Sequence, residues 1–136
     1  MIHALVGSLL LACVGIAIEV VLTGLVRFRK KHDTSLEGYS YIWMIPIYAL
    51  SWPILSVLYP RLSTLNIILR GTMYVFILFV VEYAAGWLLR GALGECPWEK
   101  QYKGKKWAVN SLVRLDYAPG WLVVALVFEQ LYLALR

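Results

Sequence analysis

The sequence contains few of the residues that usually build metal, nucleotide or hydrolase sites. Among its 136 residues are two cysteines and two histidines, without the spacing typical of a zinc site. It also lacks a Walker phosphate-binding motif and a serine, histidine and aspartate set arranged as in a hydrolase. These absences argue against an ATPase, a hydrolase, a zinc protein and a haem protein.

Charged residues are also scarce. They make up 15% of the chain against 61% hydrophobic residues, and their grouping leaves four long apolar runs. Each run is close to the about 20 residues that a helix needs to cross a hydrocarbon core, and a helix satisfies its own backbone hydrogen bonds there. We therefore expect one all-α domain over residues 1–136, an integral membrane bundle of four transmembrane helices. Their approximate limits are residues 4–26, 41–59, 66–90 and 118–135.

The basic residues are unevenly distributed between the loops. Ten of the 13 lysines and arginines fall in the loop after the first helix or the loop after the third. Because cytoplasmic loops are enriched in lysine and arginine, we expect both of these loops to be cytoplasmic and both termini to face outward. The net charge of +5 then mainly reflects topology, and it would also attract anionic lipid headgroups. Nothing in the sequence indicates a nucleic-acid partner.

Three glutamates interrupt the apolar runs. Glu19 and Glu82 each lie eight residues before an arginine that ends the run, which places them roughly 12 Å inside the membrane at 1.5 Å per residue. Glu129 lies roughly 15 Å into the last run by the same measure. A charge at such depth costs about 2.5–3.5 kcal/mol, so we expect the three carboxylates to point into the bundle as one layer. The layer is either a site for a cation, a proton or a substrate, or hydrogen-bonded glue between helices.

A metal at this layer is one of the alternatives. Ligation by Glu19, Glu82 and Glu129 alone would be all-oxygen, which favours a hard cation such as Mg²⁺, Ca²⁺, Mn²⁺ or Na⁺. A proton fits the same carboxylates, because neighbouring carboxylates repel and favour sharing one. No other cofactor is indicated.

Two segments are expected to be irregular. Pro46 and Pro53 should kink the second helix, because a proline inside a helix removes a backbone hydrogen bond. The loop over residues 91–117 is long, and its second half mixes basic and apolar residues. It is either an ordinary loop or an interfacial segment. In the second case four side chains would lie among the headgroups: Trp107, Leu112, Leu115 and Tyr117.

Several stretches together resemble a known family. They are GIAIEVVLTGL (15–25), YIWMIPIYAL (41–50), VEYAAGWLLR (81–90), ECPWEK (95–100), LDYAPGW (115–121) and VFEQLY (127–132). In this order they resemble the transmembrane protein 229 family, whose bacterial, CmpB-like members are known as putative ABC-transporter type IV proteins. The resemblance implies a four-helix protein of the bacterial inner (plasma) membrane. It differs where the family continues Cys-Pro-Trp-Asp-Tyr and where Ser111 stands in place of a glycine.

The resemblance also implies a set of motif positions. These are Glu19, Glu82, Gly86, Arg90, Cys96, Pro97, Trp98, Asp116, Tyr117, Trp121 and Glu129. Five of them would lie at the cytoplasmic mouth of the bundle: Arg90, Cys96, Trp98, Asp116 and Tyr117. There we expect Arg90 to pair with Asp116. Cys96 is either a buried small residue in a turn or a reactive or lipid-modified thiol.

These observations favour a small membrane protein that takes part in the transport of ions or small molecules. Four helices leave little room for a pore, so we expect a homo-oligomer, and an ATPase partner is not indicated by the residues. One alternative is an integral membrane enzyme that acts on a lipid or another amphiphile through the same carboxylates. Another is a non-catalytic membrane subunit or scaffold.

Overall fold

The computed structural model describes residues 2–136, and most of these residues are helical. Its helices are α1 (Ile2–Lys31), α2 (Met44–Ala49), α3 (Ser51–Leu62), α4 (Ile67–Leu93), α5 (Glu99–Tyr102) and α6 (Ala118–Leu135). Two short strands, β1 (Ala108–Val109) and β2 (Val113–Arg114), pair antiparallel, and a 3₁₀ turn over Leu115–Tyr117 leads into α6.

Three helical segments are long and apolar enough to cross a membrane. They are Ile2–Lys31, Ile67–Leu93 and Leu115–Leu135. They confirm the expectation of a helical membrane protein and contain three of the four expected spans. The orientation of the termini and loops stays a prediction.

The expected second span is not a single helix. Within residues 41–59, α2 ends at Ala49 and α3 begins at Ser51. Pro46 and Pro53 are each the third residue of their helix, where a missing N–H group costs little because the first turn has no internal acceptor for it. Pro53 cannot donate to the carbonyl oxygen of Ala49, so the helical hydrogen bonding is interrupted here. The structure has two helices joined at Leu50, so the single kinked helix is not confirmed, and a membrane crossing by this segment stays a prediction.

The chain divides into two compact units. The first comprises residues up to 55 together with residues 132–136. In it, the rings of Tyr48 and Trp52 pack directly on α1 at Gly15 and Gly7, and an added Cβ atom at Gly15 would come within 2.5 Å of the Tyr48 ring. Because Gly7 and Gly15 have no side chains, α1 has room at these positions for the rings of Trp52 and Tyr48.

The second unit comprises residues 56–131. In it α4 meets α6 at Gly71, where a Cβ atom would lie 2.6 Å from Leu122. The loop after α4 buries three of its side chains. Cys96, Trp98 and Leu112 are at most 2% exposed. The expectation that Leu112 lies among lipid headgroups is therefore wrong, because its side chain belongs to the interior of this unit.

Candidate functional site

Glu19 is held by two hydroxyl groups. Its Oε2 atom accepts hydrogen bonds from the Ser40 hydroxyl at 2.8 Å and from the Tyr48 hydroxyl at 3.0 Å. Its side chain is partly exposed. Within residues 2–136 it forms no ion pair with a lysine, arginine or histidine. A carboxyl group in a candidate span is thus bound only by neutral donors.

A non-helical segment brings Ser40 to this position. Residues 36–41 run along α1, and Gly38 lies so close to the carbonyl oxygen of Val20 that a Cβ atom would overlap it. The Thr23 hydroxyl of α1 lies 2.9 Å from both the nitrogen and the carbonyl oxygen of Tyr39. The Thr23 hydroxyl thus satisfies the backbone N–H and carbonyl groups of Tyr39, which lies outside any helix or strand.

Arg27 fixes the loop that leads into this segment. Its guanidinium lies 3.1 Å from Asp33 and 2.7 Å from Glu37. Hydrogen bonds from the side chain and backbone of Ser35, with the nearby Arg27 charge, lower the pKa of Asp33. The loop is therefore attached to the end of α1 by its carboxylates.

Glu82 is also reached by a hydroxyl from the loop that follows its helix. It lies on α4, is 2% exposed, and accepts a hydrogen bond from the Tyr102 hydroxyl at 3.2 Å. Tyr102 is the last residue of α5. The loop therefore folds back along α4 to the level of this buried carboxylate.

Arg90 attaches that loop to α4. Two of its nitrogens lie 3.0 Å from the two carboxylate oxygens of Glu99, and the same carboxylate accepts the Cys96 N–H group at 3.0 Å. The Cys96 N–H group and then Arg90 lower the pKa of Glu99. Burial raises the pKa of the Cys96 thiol, which favours the structural interpretation of this cysteine over a reactive thiol.

The expected pair between Arg90 and Asp116 is wrong. Besides Glu99, Arg90 donates to the carbonyl oxygen of Asn110 at 2.7 Å. Asp116 is bound instead by Arg114, whose Nε atom lies 3.1 Å away and whose guanidinium also stacks on Tyr117 with 4.2 Å to the ring centroid. Asp116 lies two residues from Arg114 in the sequence, and it forms its ion pair with this neighbour and not with Arg90. The five expected mouth residues thus belong to two clusters, and their role as a mouth stays a prediction.

Glu129 differs from the other two glutamates because its partner is a cation. It is fully buried on α6, and both of its oxygens accept from Arg70, at 2.6 and 2.8 Å. The third Arg70 nitrogen donates to the carbonyl oxygen of Leu65 at 2.9 Å. A bidentate pair of this kind fixes the orientation of the Glu129 side chain.

The partners of the glutamates were not foreseen from the sequence. Arg70 lies 59 residues from Glu129, so no local spacing connects them. Tyr48 does lie within the stretch YIWMIPIYAL that carried the family resemblance, and this was the available signal. In the part of the chain that the structure describes, no group of three or more His, Cys, Asp or Glu residues could hold a metal ion. A metal bound by all three glutamates stays a prediction.

The whole arrangement lies within a known sequence family. A family model described as "Putative ABC-transporter type IV" matches residues 8–135, which is nearly the entire chain. The chain belongs to this family. Its apolar helices and this family together fit a transport-related membrane protein. The matching family does not carry the transmembrane protein 229 name, so that relationship stays a prediction. No solved structure matches the chain.

Proposed function

We propose that the protein takes part in transport across the membrane, and that Glu19 and Glu82 are the carboxyl groups that bind and release a proton on the path. The observation that carries the proposal is the environment of Glu19. One of its oxygens accepts from two hydroxyls, and it forms no ion pair within residues 2–136.

Hydroxyl partners suit a group that changes its protonation state. The hydroxyls of Ser40 and Tyr48 can donate to a carboxylate, and after rotation their oxygens can accept from a carboxylic acid. Both forms of Glu19 therefore keep hydrogen bonds at a depth where an unassisted charge costs about 2.5–3.5 kcal/mol. Glu129 has no such freedom, since Arg70, which cannot accept a hydrogen bond, donates to both of its oxygens. We assign it a structural role.

The irregular backbone beside Glu19 supports a path for water or a substrate. Non-helical backbone at membrane depth is tolerated where it is buried in protein or lines a water-filled cavity. Transporters use such interrupted segments at their binding sites. Residues 36–41 meet α1 in this way and carry Ser40 to the carboxyl group.

The energy source and assembly belong to the proposal as well. The printed sequence has no Walker motif, so transport powered by ATP would require a separate ATPase chain. Proton-coupled transport by a homo-oligomer in the inner membrane, with the two long loops cytoplasmic, requires no such partner. We favour this form because a single chain offers few helices to enclose a path.

Proton flux in liposomes tests the proposal. The purified protein is reconstituted with a pH-sensitive dye inside, and a pH step is applied. We expect wild-type protein to carry protons, with at least about a tenfold loss in Glu19→Gln and in Glu82→Gln. Glu95→Gln is the matched control, because Glu95 is an exposed loop carboxylate whose ion pair is with exposed Lys100; its flux should equal wild type.

Three results would overturn the assignment. Proton flux that is unchanged in folded Glu19→Gln would exclude this carboxyl group from the path. No flux in the wild-type protein, with Glu19→Gln merely less stable, would favour glue between helices. Flux of Na⁺ without protons, lost in the same variants, would replace the proton with a metal cation.

A further inference from the structure

The loop between α4 and α6 exposes an unusual combination of lysines and large apolar side chains. Trp107 is 56% exposed, Val109 is 42% exposed and Leu115 is 43% exposed. Lys103, Lys105 and Lys106 precede them directly and are also exposed. We call these six residues the lysine–tryptophan surface.

A short ribbon gives this surface a fixed shape. Strands β1 and β2 pair Val109 with Val113, and the N–H group of Leu115 donates to the carbonyl oxygen of Trp107 at 3.0 Å. This hydrogen bond joins Trp107 and Leu115 next to the Val109–Val113 pair, in which Val109 is exposed and Val113 is buried. The exposed side chains of Trp107, Val109 and Leu115 are therefore neighbours on the ribbon.

The ribbon lies beside the end of a membrane-spanning helix. Asn110, at its tip, binds Arg90 through its carbonyl oxygen and the Tyr83 hydroxyl through its side chain, at 2.7 and 3.2 Å. Leu112 meets α4 at Gly86. The next candidate span begins at Leu115, directly after β2. The ribbon thus contacts the C-terminal turns of one candidate span and leads directly into the next.

The lysines of this surface are not held in ion pairs, although the charges of Lys103 and Lys105 act on Glu99 and Asp116. The acidic residues of the loop form ion pairs with other cations: Glu95 with Lys100, Glu99 with Arg90 and Asp116 with Arg114. Within residues 2–136, Lys103, Lys105 and Lys106 form no ion pair. The Lys106 ammonium group lies 5.6 Å from the centre of the Trp107 ring. Three unpaired positive charges therefore adjoin the exposed apolar side chains.

We infer that the lysine–tryptophan surface docks on the anionic lipid headgroups of the membrane that the chain spans. Tryptophan is enriched at the membrane interface because one part of its ring is apolar and its N–H group is polar. Each lysine near an anionic surface favours the docked state about fivefold, so three lysines together favour it about a hundredfold. The docking does not depend on proton transport at Glu19 or Glu82.

Quenching of Trp107 by brominated lipid measures the docking. The full chain is placed in nanodiscs of phosphatidylcholine alone or mixed with phosphatidylglycerol, with bromine near the carbonyl end of the acyl chains. The difference between wild type and Trp107→Phe isolates the signal of Trp107. We expect stronger quenching with phosphatidylglycerol, reduced by high salt because salt screens exposed charges. Replacing Lys103, Lys105 and Lys106 together by Gln should remove the difference between the lipids, whereas the control Lys100→Gln should keep it.

Two results would overturn the inference. Trp107 quenching that is equal in both lipids and insensitive to salt would show that anionic headgroups do not hold the surface, and would leave an acidic protein as the candidate occupant. A lipid difference that persists in the triple lysine variant would exclude the lysines as its cause. The salt titration uses wild-type protein, so it decides the question even if the triple variant does not fold.

Discussion

The chain after α1 and the chain after α4 each bring a hydroxyl group to a glutamate of the preceding helix, but with different backbone structures. In each helix a glutamate is followed eight residues later by an arginine, Glu19 by Arg27 and Glu82 by Arg90. In each case the arginine binds a carboxylate of the next loop, and that returning chain brings a hydroxyl to the glutamate. The nine-residue stretches share only the glutamate, one leucine and the arginine. The similarity therefore lies in the placement of groups.

The two returning chains differ in how they cover the glutamate. After α1 the chain is extended and pressed on the helix backbone at Gly38. After α4 it forms a short helix and a ribbon that bury Trp98 and Leu112. Accordingly Glu82 is 2% exposed, whereas Glu19 is partly open. A shared pair of anchors thus supports two coverings, one that buries its carboxyl group and one that leaves it partly exposed.

The largest expected effect comes from the glutamate that does not follow this arrangement. Glu129→Gln would leave the Arg70 guanidinium, on a side chain that is 13% exposed, without its anion, and we expect a loss near the lower end of the about 3–5 kcal/mol typical of a broken buried pair. Glu19→Gln keeps neutral hydrogen bonds and should cost only about 1 kcal/mol. Reversible unfolding of the purified protein in bicelles measures both.

The double variant Arg70→Leu, Glu129→Leu is the control for this prediction. It should recover most of the lost unfolding free energy, since an apolar pair of similar size often replaces a buried ion pair without loss. Equal losses for Glu129→Gln and Glu19→Gln would contradict the structural role given to Glu129.

The two coverings should respond differently to added volume. Gly38→Ala would place a Cβ atom on the Val20 carbonyl, and this backbone contact cannot be relieved by rotating a side chain, so we expect a loss of about 3 kcal/mol. Gly86→Ala would meet only side chains, Leu112 at 3.0 Å and Trp98 at 3.2 Å. We expect a loss of about 1 kcal/mol there.

Gly91→Ala provides the matched control, because nothing lies within 4 Å of its added Cβ atom. The same unfolding experiment applies, and Gly91→Ala should show no loss. If Gly38→Ala unfolds like this control, the extended segment is not held against α1 as described.

The sequence predicted the spans of this fold better than its contacts. Residues 118–135 were predicted as a helix and form α6, because a long run that is apolar except for Glu129 and Gln130 leaves a helix as the natural structure. The second span differs from the expectation because its helix is interrupted at Leu50, between Pro46 and Pro53, and composition does not decide whether prolines kink a helix or divide it. The carboxylate partners were missed because Tyr102 and Arg70 reach them through tertiary contacts.

Removing a tyrosine hydroxyl should have a smaller effect, and the two sites should again differ. Tyr48→Phe leaves the Ser40 hydroxyl on the same Glu19 oxygen, so we expect a loss near the lower end of the about 0.5–1.5 kcal/mol typical of a hydrogen bond. Tyr102→Phe acts on a more deeply buried carboxyl group and should lie nearer the upper end. Ser40→Ala combined with Tyr48→Phe should exceed either change alone. Equal losses for Tyr48→Phe and Tyr102→Phe would contradict the difference in burial between Glu19 and Glu82, as would a double variant whose loss is only the sum of two such equal losses.

The smallest expected effect is the response of the two loop attachments to acid. The folded-state pKa of Glu99 lies below its ordinary value of 4.5, and that of Asp33 lies below 3.8. A lowered pKa stabilises the folded protein above the ordinary value, and this contribution is lost as the pH falls through the folded-state value. The unfolding free energy should therefore decline with acid below about pH 4.5, more gently in Glu99→Gln and in Asp33→Asn, while the control Glu95→Gln follows wild type. Both attachments are partly exposed and screened by water, so the effect should be small. A steep acid transition that persists in both variants would place the acid-sensitive groups elsewhere, and would show that the arginine anchors do not determine the stability of the loops.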